Sequence, residues 1–145
     1  MYMFIGEFSH TIDAKGRVAV PFRFRRGLGK GAVITRSTDT CLVIYPKEEW
    51  VTVAQKLTSL PMFDPKVKAL SRFIFSSAVE VEFDRQGRAL IPQYLREWAG
   101  LKKQVVVTGI FNKIEIWDDH GWKAQQKKDG VGSAEFDKQI QELGI

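Results

Sequence analysis

Apolar and polar positions alternate along this chain in short runs that predict strands, and these runs are separated by stretches with helical spacing. Strands are predicted at residues 4–12, 17–20, 32–35 and 41–45. A short helix is predicted from Pro21 and a longer one from Pro46, because proline fits the first helical turn. In the longer helix, apolar residues have i, i+3, i+4, i+7 spacing: Trp50, Val53, Ala54 and Leu57.

The second half of the chain repeats this order of predicted elements. Strands are expected at 79–83, 88–91, 105–108 and 113–117, with helices from Pro92 and around Trp122. Between the halves, Asp64 and Pro65 predict the start of a connecting helix. Its apolar stripe consists of Val67, Leu70, Phe73 and Ile74. A last helix is expected near the C-terminal end, from the spacing of Phe136, Ile140 and Leu143.

The two halves also share residues, which indicates a duplicated unit. At an offset of 71 residues, Asp13, Gly16, Arg17, Pro21, Arg25 and Gly29 recur as Asp84, Gly87, Arg88, Pro92, Arg96 and Gly100. At an offset of 72, Lys30, Val33, Ile44, Trp50 and Lys56 recur as Lys102, Val105, Ile116, Trp122 and Lys128. Two copies are too few for an open solenoid, so we expect them to pack on each other as one pseudo-symmetric domain.

Composition narrows the class of protein. With 145 residues and 44% hydrophobic content, the chain suits one globular domain or two small ones. No apolar run approaches the roughly 18–20 residues of a membrane span, and no signal peptide pattern is expected at the N-terminal end. The single cysteine, Cys41, lies in a strand-like run, which favours a buried small hydrophobic side chain over a reactive thiol. One cysteine fits a reducing cytosol.

The net charge of +5 is unevenly distributed along the chain. Residues 13–30 carry six basic side chains against one acidic residue, Asp13. Among the last seventeen residues, four are acidic and one is basic. A basic segment and an acidic tail indicate two different partners.

The duplicated D-x-x-G-R segment, residues 13–17 and 84–88, carries the candidate chemistry. Asp and Gly are typical of tight turns, because Asp bonds back to its own backbone and Gly adopts positive φ. Two alternatives stay open for Arg17 and Arg88. They pair with the aspartate across the turn, or they project from the hairpin tips, where two guanidinium groups suit the phosphates or guanine edges of a DNA duplex.

The candidate DNA-binding residues are therefore those of the two turns: Asp13, Lys15, Gly16, Arg17, Asp84, Arg85, Gly87 and Arg88. Arg23 and Arg25, on the helix after the first turn, are weaker candidates that would widen the basic surface.

Catalytic and metal-binding interpretations find little support. His10 and His120 are the only histidines, and neither has metal-ligand spacing to a cysteine or to the other. The segment GLGKGA at 27–32 lacks the strand-before, helix-after context of a phosphate loop. Asp118 and Asp119 are expected to cap the following helix rather than form a catalytic carboxylate pair. We therefore expect no enzyme, no cofactor and no bound metal.

The duplicated D-x-x-x-R turns, the segment GIFNKIEIWDDHGW, and PKEEW after a hydrophobic strand resemble the MraZ family of bacterial transcription regulators. The resemblance covers the chain from Phe4 to about Leu143. It implies a β-rich α+β fold, in which two tandem AbrB-like swapped-hairpin units form a pseudo-dimeric double-split β-barrel with flanking helices. The expected division is a first unit at 7–49, a helical connector at 50–77, a second unit at 78–121 and a C-terminal helical tail at 122–145.

The resemblance also implies a function. Members of the family form ring-shaped homo-oligomers, bind short tandem repeats upstream of the cell-division and cell-wall operon that contains their own gene, and mostly repress it. The family's D-x-x-x-R residues match Asp13 and Arg17, and Asp84 and Arg88. We therefore expect a cytoplasmic, nucleoid-associated repressor whose partners are double-stranded DNA and its own copies, with no membrane. The more basic first unit is expected to contribute more to DNA binding.

Other interpretations give different roles to the helices. Some AbrB-like domains act as antitoxins whose tail wraps a toxin, and the acidic segment 129–145 would be that tail. Such proteins usually carry one unit and a disordered tail, whereas two units and a helical tail are expected here. RNA binding is disfavoured because no RNP-type aromatic strand motif occurs. The connecting and C-terminal helices, which carry apolar stripes, are candidates for subunit contacts.

Overall fold

The structure is a computed structural model that describes residues 2–145. Over this range the chain forms eight strands and six helices. Unit 1 consists of β1 (Phe4–Thr11), β2 (Arg17–Ala19), α1 (Phe22–Leu28), β3 (Val33–Arg36), β4 (Leu42–Tyr45) and α2 (Lys47–Thr58). The connecting helix is α3 (Pro65–Ser77). Unit 2 consists of β5 (Val79–Glu80), β6 (Arg88–Leu90), α4 (Gln93–Trp98), β7 (Gln104–Phe111), β8 (Ile114–Asp118) and α5 (Asp119–Asp129), and α6 (Ala134–Glu142) follows it.

Cap chemistry sets where the helices begin. A proline immediately precedes α1, α2 and α4, at the positions from which the sequence predicts these helices. The Asp64 side chain accepts the N–H of Lys66 at the start of α3, which confirms the predicted cap. The Asp118 side chain accepts the N–H groups of His120 and Gly121 at the start of α5, as also predicted.

Six strands form one antiparallel sheet whose order mixes the two units: β1-β7-β8-β4-β3-β5. Strand β1 of unit 1 pairs with β7 of unit 2, and β5 of unit 2 pairs with β3 of unit 1. Each unit therefore lends its first strand to the other. At the centre of the sheet, Val43 of β4 lies opposite Glu115 of β8. These two residues are equivalent at the 72-residue offset, so a pseudo-twofold axis crosses the sheet at this pair.

The remaining strands, β2 and β6, pair with each other in a separate antiparallel sheet. Val18 lies opposite Ala89 at its centre, and these residues are also equivalent in the duplication. The pseudo-twofold relation between the units therefore extends to this small sheet. Both central side chains are fully buried, so the residues that alternate with them face outward.

One hydrophobic core holds both units together. Its largest fully buried side chains come from both: Phe4, Phe24, Ile34, Leu42, Ile44, Ile91, Leu95, Ile114 and Ile116. Each such side chain contributes about 1.5–3 kcal/mol on burial, so separating the units would expose much of the core. A second cluster contains Cys41, Val106 and Trp117. Burial, aided by the charge of Glu115, raises the pKa of the Cys41 thiol to about 12, and the predicted buried role is confirmed.

The expected closed barrel is not confirmed. Strands β1 and β5 are the two edges of the six-stranded sheet, and within residues 2–145 they do not pair with each other. The fold is a mixed, β-rich α+β fold with an open sheet and flanking helices. No helix in this described range is both long and apolar enough to cross a lipid bilayer.

The strand predicted at 79–83 is shorter than expected at its C-terminal end, because only Val79 and Glu80 pair with β3, whereas Phe83 forms an isolated bridge with Ala89 of β6. The helix before it also ends late relative to the start of unit 1. Helix α3 continues to Ser77, so its last turn occupies the place that the first half of β1 has in unit 1. In unit 1 the Thr35 hydroxyl donates to the carbonyl of Ile74 in α3 at 2.8 Å. In unit 2 the corresponding Thr108 hydroxyl donates to the carbonyl of Gly6 in β1 at 3.3 Å.

The predicted equivalence of Val33 with Val105 is wrong by one residue. Val33 lies opposite Tyr45, whereas Trp117, the equivalent of Tyr45, lies opposite Val106. Val33 therefore corresponds to Val106. The reason is a connection between β3 and β4 that is one residue longer than its counterpart, which shifts the alignment without disturbing the pairing.

Candidate nucleic-acid interface

The first D-x-x-G-R turn joins β1 to β2. The Asp13 carboxylate accepts the backbone N–H groups of Lys15 and Arg17 at 3.0 and 2.9 Å, and the Nε–H of Arg17 at 2.7 Å. Gly16 donates its N–H to the Asp13 carbonyl at 3.0 Å and has φ of 85°, which favours glycine. The backbone N–H of Arg17 and then its guanidinium hold the pKa of Asp13 below its ordinary value of 3.8.

The second turn reproduces this arrangement. The Asp84 carboxylate accepts the N–H groups of Gln86 and Arg88, both at 2.9 Å, and the Nε–H of Arg88 at 2.8 Å. Gly87 donates to the Asp84 carbonyl at 3.0 Å and has φ of 76°. The backbone N–H of Arg88, followed by its guanidinium, again lowers the pKa of the aspartate.

The two arginines adopt the first of the two alternatives, pairing with the aspartate of their own turn. Arg17 and Arg88 each stand at the first residue of the returning strand, not at the hairpin tip, and each side chain is 30% exposed. Both belong to the outward face of the β2–β6 sheet, diagonally across its pseudo-twofold centre. The Nη1 atom of Arg88 lies 3.6 Å from the Oδ2 atom of Asp13, which links the two turns.

This pairing leaves part of each guanidinium available. The aspartate accepts from Nε, and within residues 2–145 neither arginine forms a hydrogen bond through its Nη groups, although Nη1 of Arg88 lies 3.6 Å from Asp13 Oδ2. An arginine held in this way loses little conformational freedom when it binds a ligand, because its guanidinium group, a planar fork of N–H donors, is already oriented. The two turns therefore present two oriented guanidinium groups on one face.

The tips of the turns carry the exposed basic residues. Lys15 is the third residue of its turn and Arg85 is the second of its turn, and both are exposed. Each tip thus has one lysine or arginine, at different positions. The expected surplus of basic residues in unit 1 does not arise at the tips, since there the two units carry the same charge.

Arg25 and Arg96 cross from each unit to the turn of the other. A Cβ atom built on Gly87 would lie 2.5 Å from the Cζ atom of Arg25, and one on Gly16 would lie 2.8 Å from that of Arg96. Arg25 Nε also donates to the Val20 carbonyl at 3.1 Å. Arg96 Nε is buried and finds no hydrogen-bond partner within residues 2–145.

Arg96 was not among the residues predicted for the site. Its identity with Arg25 in the duplication was the available signal, but the contact with the opposite turn is not visible in the sequence. Arg25, a weaker candidate, is therefore brought to the turns, and Arg96 joins it.

Arg23, the other weaker candidate, lies against β1 instead. Its Nη2 donates to the Ile5 carbonyl at 3.4 Å, and its guanidinium lies 4.9 Å from the centre of the Phe8 ring. The structure thus brings together the eight turn residues with Arg25 but leaves Arg23 with the edge strand. For residues 2–145, no group of three or more histidine, cysteine or acidic side chains is arranged to hold a metal ion.

Comparison with known proteins identifies the family. The family model described as "MraZ protein, putative antitoxin-like" matches twice, at residues 3–73 and 74–143. The chain is 45% identical over 143 residues to Transcriptional regulator MraZ of Acetivibrio thermocellus, covering 99% of this chain and 100% of the relative. It is 51% identical over 120 residues to Transcriptional regulator MraZ of Desulforamulus reducens, covering 83% and 84%. With two family matches that together span nearly its whole length, the chain belongs to the MraZ family.

Proposed function

We propose that this protein is a sequence-specific DNA-binding transcriptional regulator that acts mainly as a repressor. The observation that carries the proposal is the pair of aspartate-held arginines, Arg17 and Arg88, on one outward face about a pseudo-twofold axis. Two forks with this relation match the antiparallel, near-twofold arrangement of the two DNA strands. The names of the relatives as transcriptional regulators support the same class of function.

The small sheet is the element that would enter the DNA groove. A two-stranded β-ribbon fits the major groove, which is about 12 Å wide. With Nε kept by the aspartate, the outer N–H groups of Arg17 and Arg88 would donate to O6 and N7 of guanine. Asp13, Gly16, Asp84 and Gly87 would act as positioning residues that fix these forks.

Basic residues around the forks would contact phosphates. Lys15 and Arg85 stand at the exposed tips, where they would reach the backbone on either side of the groove. Arg25 lies behind the second turn and would contribute less. Arg23 would act only through long-range charge, because its guanidinium is held on β1.

The interleaved strands support the finer fold assignment that accompanies this function. Because β1 pairs with β7 and β5 with β3, each unit completes the sheet of the other, as two AbrB-like swapped-hairpin units would. We propose that the pair corresponds to a double-split barrel whose two halves stay open at the β1 and β5 edges. In this proposal the AbrB-like parts of the two units are 7–49 and 78–121, with 50–77, which includes most of α2, as connector and 122–145, which includes most of α5, as tail.

Assembly would supply the affinity that one chain lacks. One pair of hairpins makes few contacts, whereas a ring of identical chains on tandem promoter repeats raises the effective concentration of each later contact. The proposed target is the promoter of the protein's own division and cell-wall gene cluster, bound in the cytoplasm at the nucleoid. Affinity would then rise with repeat number and fall steeply with salt.

The test is a gel-shift titration with DNA from just upstream of the gene, beside a scrambled probe, at two salt concentrations. We expect selective, salt-sensitive binding that the double variant Arg17→Ala/Arg88→Ala loses. The matched control is Lys127→Ala/Lys128→Ala, which removes two exposed charges from α5 and should bind nearly as well as the unchanged protein. Circular dichroism would verify that each variant is folded.

Equal, weak binding to both probes would contradict the proposal, because it would mean that the basic surface attracts DNA without reading it. Full binding by the double arginine variant would remove the proposed site. The first result would favour the alternative, an antitoxin-type protein-interaction module, and would direct the search to a protein partner. The second would leave DNA binding in place and assign it to other residues.

A further inference from the structure

An apolar groove lies between α2 and α3, on the outside of unit 1. It has a volume of about 420 Å³ and is lined by Leu57, Thr58, Leu60, Met62, Val67, Lys68, Ser71, Arg72 and Phe75. Met62 of this lining is 69% exposed and the neighbouring Phe63 is 81% exposed, which extends the apolar surface. Exposed apolar surface of this kind marks a contact site. The two basic residues of the lining, Lys68 and Arg72, both belong to α3.

Helix α6 also has an apolar surface, but acidic rather than basic residues flank it. Its apolar side chains Phe136, Ile140 and Leu143 fall at i, i+4, i+7 and form one stripe. Within the described chain Phe136 is half-buried, whereas Ile140 and Leu143 are 37% and 75% exposed, so the stripe is only partly covered. Glu135 and Asp137 flank the stripe on its two sides, since they lie about 100° from Phe136 around the helix. A helix with a partly exposed apolar stripe between acidic flanks fits a groove that is apolar and basic.

The groove and the stripe match in length as well as in charge. The groove residues of α3 extend from Val67 to Phe75, a rise of about 12 Å at 1.5 Å per residue. The stripe from Phe136 to Leu143 has a rise of about 10 Å and fits within this length. Helix α3 carries three basic residues and no acidic one, whereas α6 carries three acidic residues and one basic one.

We propose that α6 of one chain packs into the α2–α3 groove of a second copy of this chain. In its own chain α6 does not line the groove, which belongs to unit 1, while α6 follows unit 2. A contact between two different surfaces is heterologous, so each chain binds one neighbour through α6 and another through the groove. Repetition closes a ring or extends a filament.

This contact would give the proposed assembly its surface, and to that extent the inference rests on the proposed function. A nine-residue helix in a short groove covers less area than a standard stable interface. Each contact is therefore weak, and the assembly dissociates on dilution.

A disulfide test reads the contact directly. One chain carries Ser71→Cys in the groove, and a second carries Gln139→Cys beside the α6 stripe. The two proteins are mixed at low concentration, concentrated and oxidised with copper phenanthroline. We expect a covalent dimer in the mixture and little in either protein alone. The native Cys41 is fully buried and does not compete.

The matched control replaces Gln139→Cys with Lys138→Cys, on the opposite face of α6, which should give several-fold less dimer. A crosslink only within a chain that carries both cysteines, with none in the mixture, would mean that α6 returns to its own groove, and would overturn the proposal. Equal crosslinking by the control would overturn it as well.

A charge exchange tests the same contact without cysteine. Glu135→Lys/Asp137→Lys should raise the concentration for half-assembly at least about tenfold, measured by analytical ultracentrifugation. Lys68→Glu/Arg72→Glu should do the same, and an equimolar mixture of the two variants should recover assembly with the two variants in alternation. The control Lys138→Glu changes charge on the opposite face of α6 and should change little.

DNA binding is read separately, on a probe with one repeat. A chain that binds this probe but has the 16.5 kDa mass of one chain at every concentration up to about 100 μM refutes the contact and leaves the proposed function standing. A chain that assembles through α6 but binds no DNA refutes the proposed function and leaves the contact standing.

Discussion

The two turns of this protein differ where they would touch DNA and agree where they hold themselves together. In both, the aspartate accepts two backbone N–H groups and the arginine Nε within 0.1 Å of the same distances. Between aspartate and glycine, however, Ala14-Lys15 stands against Arg85-Gln86. The duplication has therefore kept the scaffold of the turn and changed its tip.

This difference separates two roles of the D-x-x-G-R motif, which are to build the turn and to contact DNA. Asp, Gly and the Nε atom of Arg build the turn. Turn geometry alone therefore explains why these residues recur in both units, with no need for a ligand. The Nη side of Arg and the tip residues do not build it. If the protein reads an asymmetric repeat, the tips are the place where the two halves can read different bases.

The largest expected effect is on the arginine forks. Arg17→Ala and Arg88→Ala should each cost about 1–3 kcal/mol of discrimination between the promoter repeat and scrambled DNA, since each removes one bidentate contact. Because the turns have the same geometry, we expect the two single variants to be similar within about threefold in affinity. Fluorescence anisotropy with a one-repeat probe measures both.

Arginine-to-lysine variants distinguish the fork from its charge. Lys at position 17 or 88 keeps the charge but cannot bond the aspartate through Nε and also present two parallel donors. We expect it to lose most of the discrimination while keeping non-specific binding. Full discrimination by Arg17→Lys would contradict the fork geometry.

The next effect compares the two glycines of the turns. A Cβ on Gly16 would lie 2.9 Å from the backbone carbonyl oxygen of Ile91, whereas the nearest atoms to one on Gly87 all belong to the Arg25 side chain, which can move. Both have positive φ, which costs an alanine about 1–2 kcal/mol. Gly16→Ala should therefore lower the free energy of unfolding by more than Gly87→Ala, as measured by urea denaturation.

Gly29→Ala is the matched control, because Gly29 has φ of 60° and nothing lies within 4 Å of its added Cβ. It isolates the cost of positive φ from the cost of crowding. If Gly16→Ala lowered the free energy of unfolding by no more than Gly29→Ala, this would contradict the close packing of unit 2 on the first turn.

A smaller effect concerns the tips. Lys15→Ala and Arg85→Ala should each reduce the slope of log affinity against log salt by about 0.9, the value for one phosphate contact on duplex DNA. Equal reductions would agree with the equal charge of the tips. A larger reduction for Lys15→Ala would instead support the expectation that unit 1 contributes more. Anisotropy titrations at four salt concentrations provide the slopes.

How much of this the sequence could predict depends on the range of each interaction. The elements, the proline-led helices, the Asp64 and Asp118 caps and the buried Cys41 follow from local patterns, and the structure agrees with them. The Asp–Arg pairing was one of two open alternatives. A four-residue spacing alone does not decide between pairing and projection.

Local sequence patterns could not predict the contacts between the two units. The pairing of β1 with β7 joins residues about a hundred positions apart, and no periodicity reports it. Strand β5 ends at Glu80, earlier than predicted, because the chain then leaves β3 and Phe83 bridges Ala89 of β6. The sequence did not predict Arg96 as a site residue, because its contact with the first turn depends on the fold of both units.

The smallest effect is on the pH dependence of stability. Hydrogen bonds from Arg17 and Arg88 depress the pKa values of Asp13 and Asp84 in the folded chain below the ordinary 3.8. On acidification the unfolded chain therefore takes up protons first, so these two groups stabilise the fold fully above about pH 5 and lose that contribution as pH falls through 3.8 and then through the folded pKa. Unfolding curves between pH 6 and pH 3 should show a loss that Asp13→Asn/Asp84→Asn reduces. Because the two turns have the same bonds, each single Asn variant should remove about half of the difference. A pH profile that depends on one turn alone would show that the duplicated geometry hides unequal electrostatics.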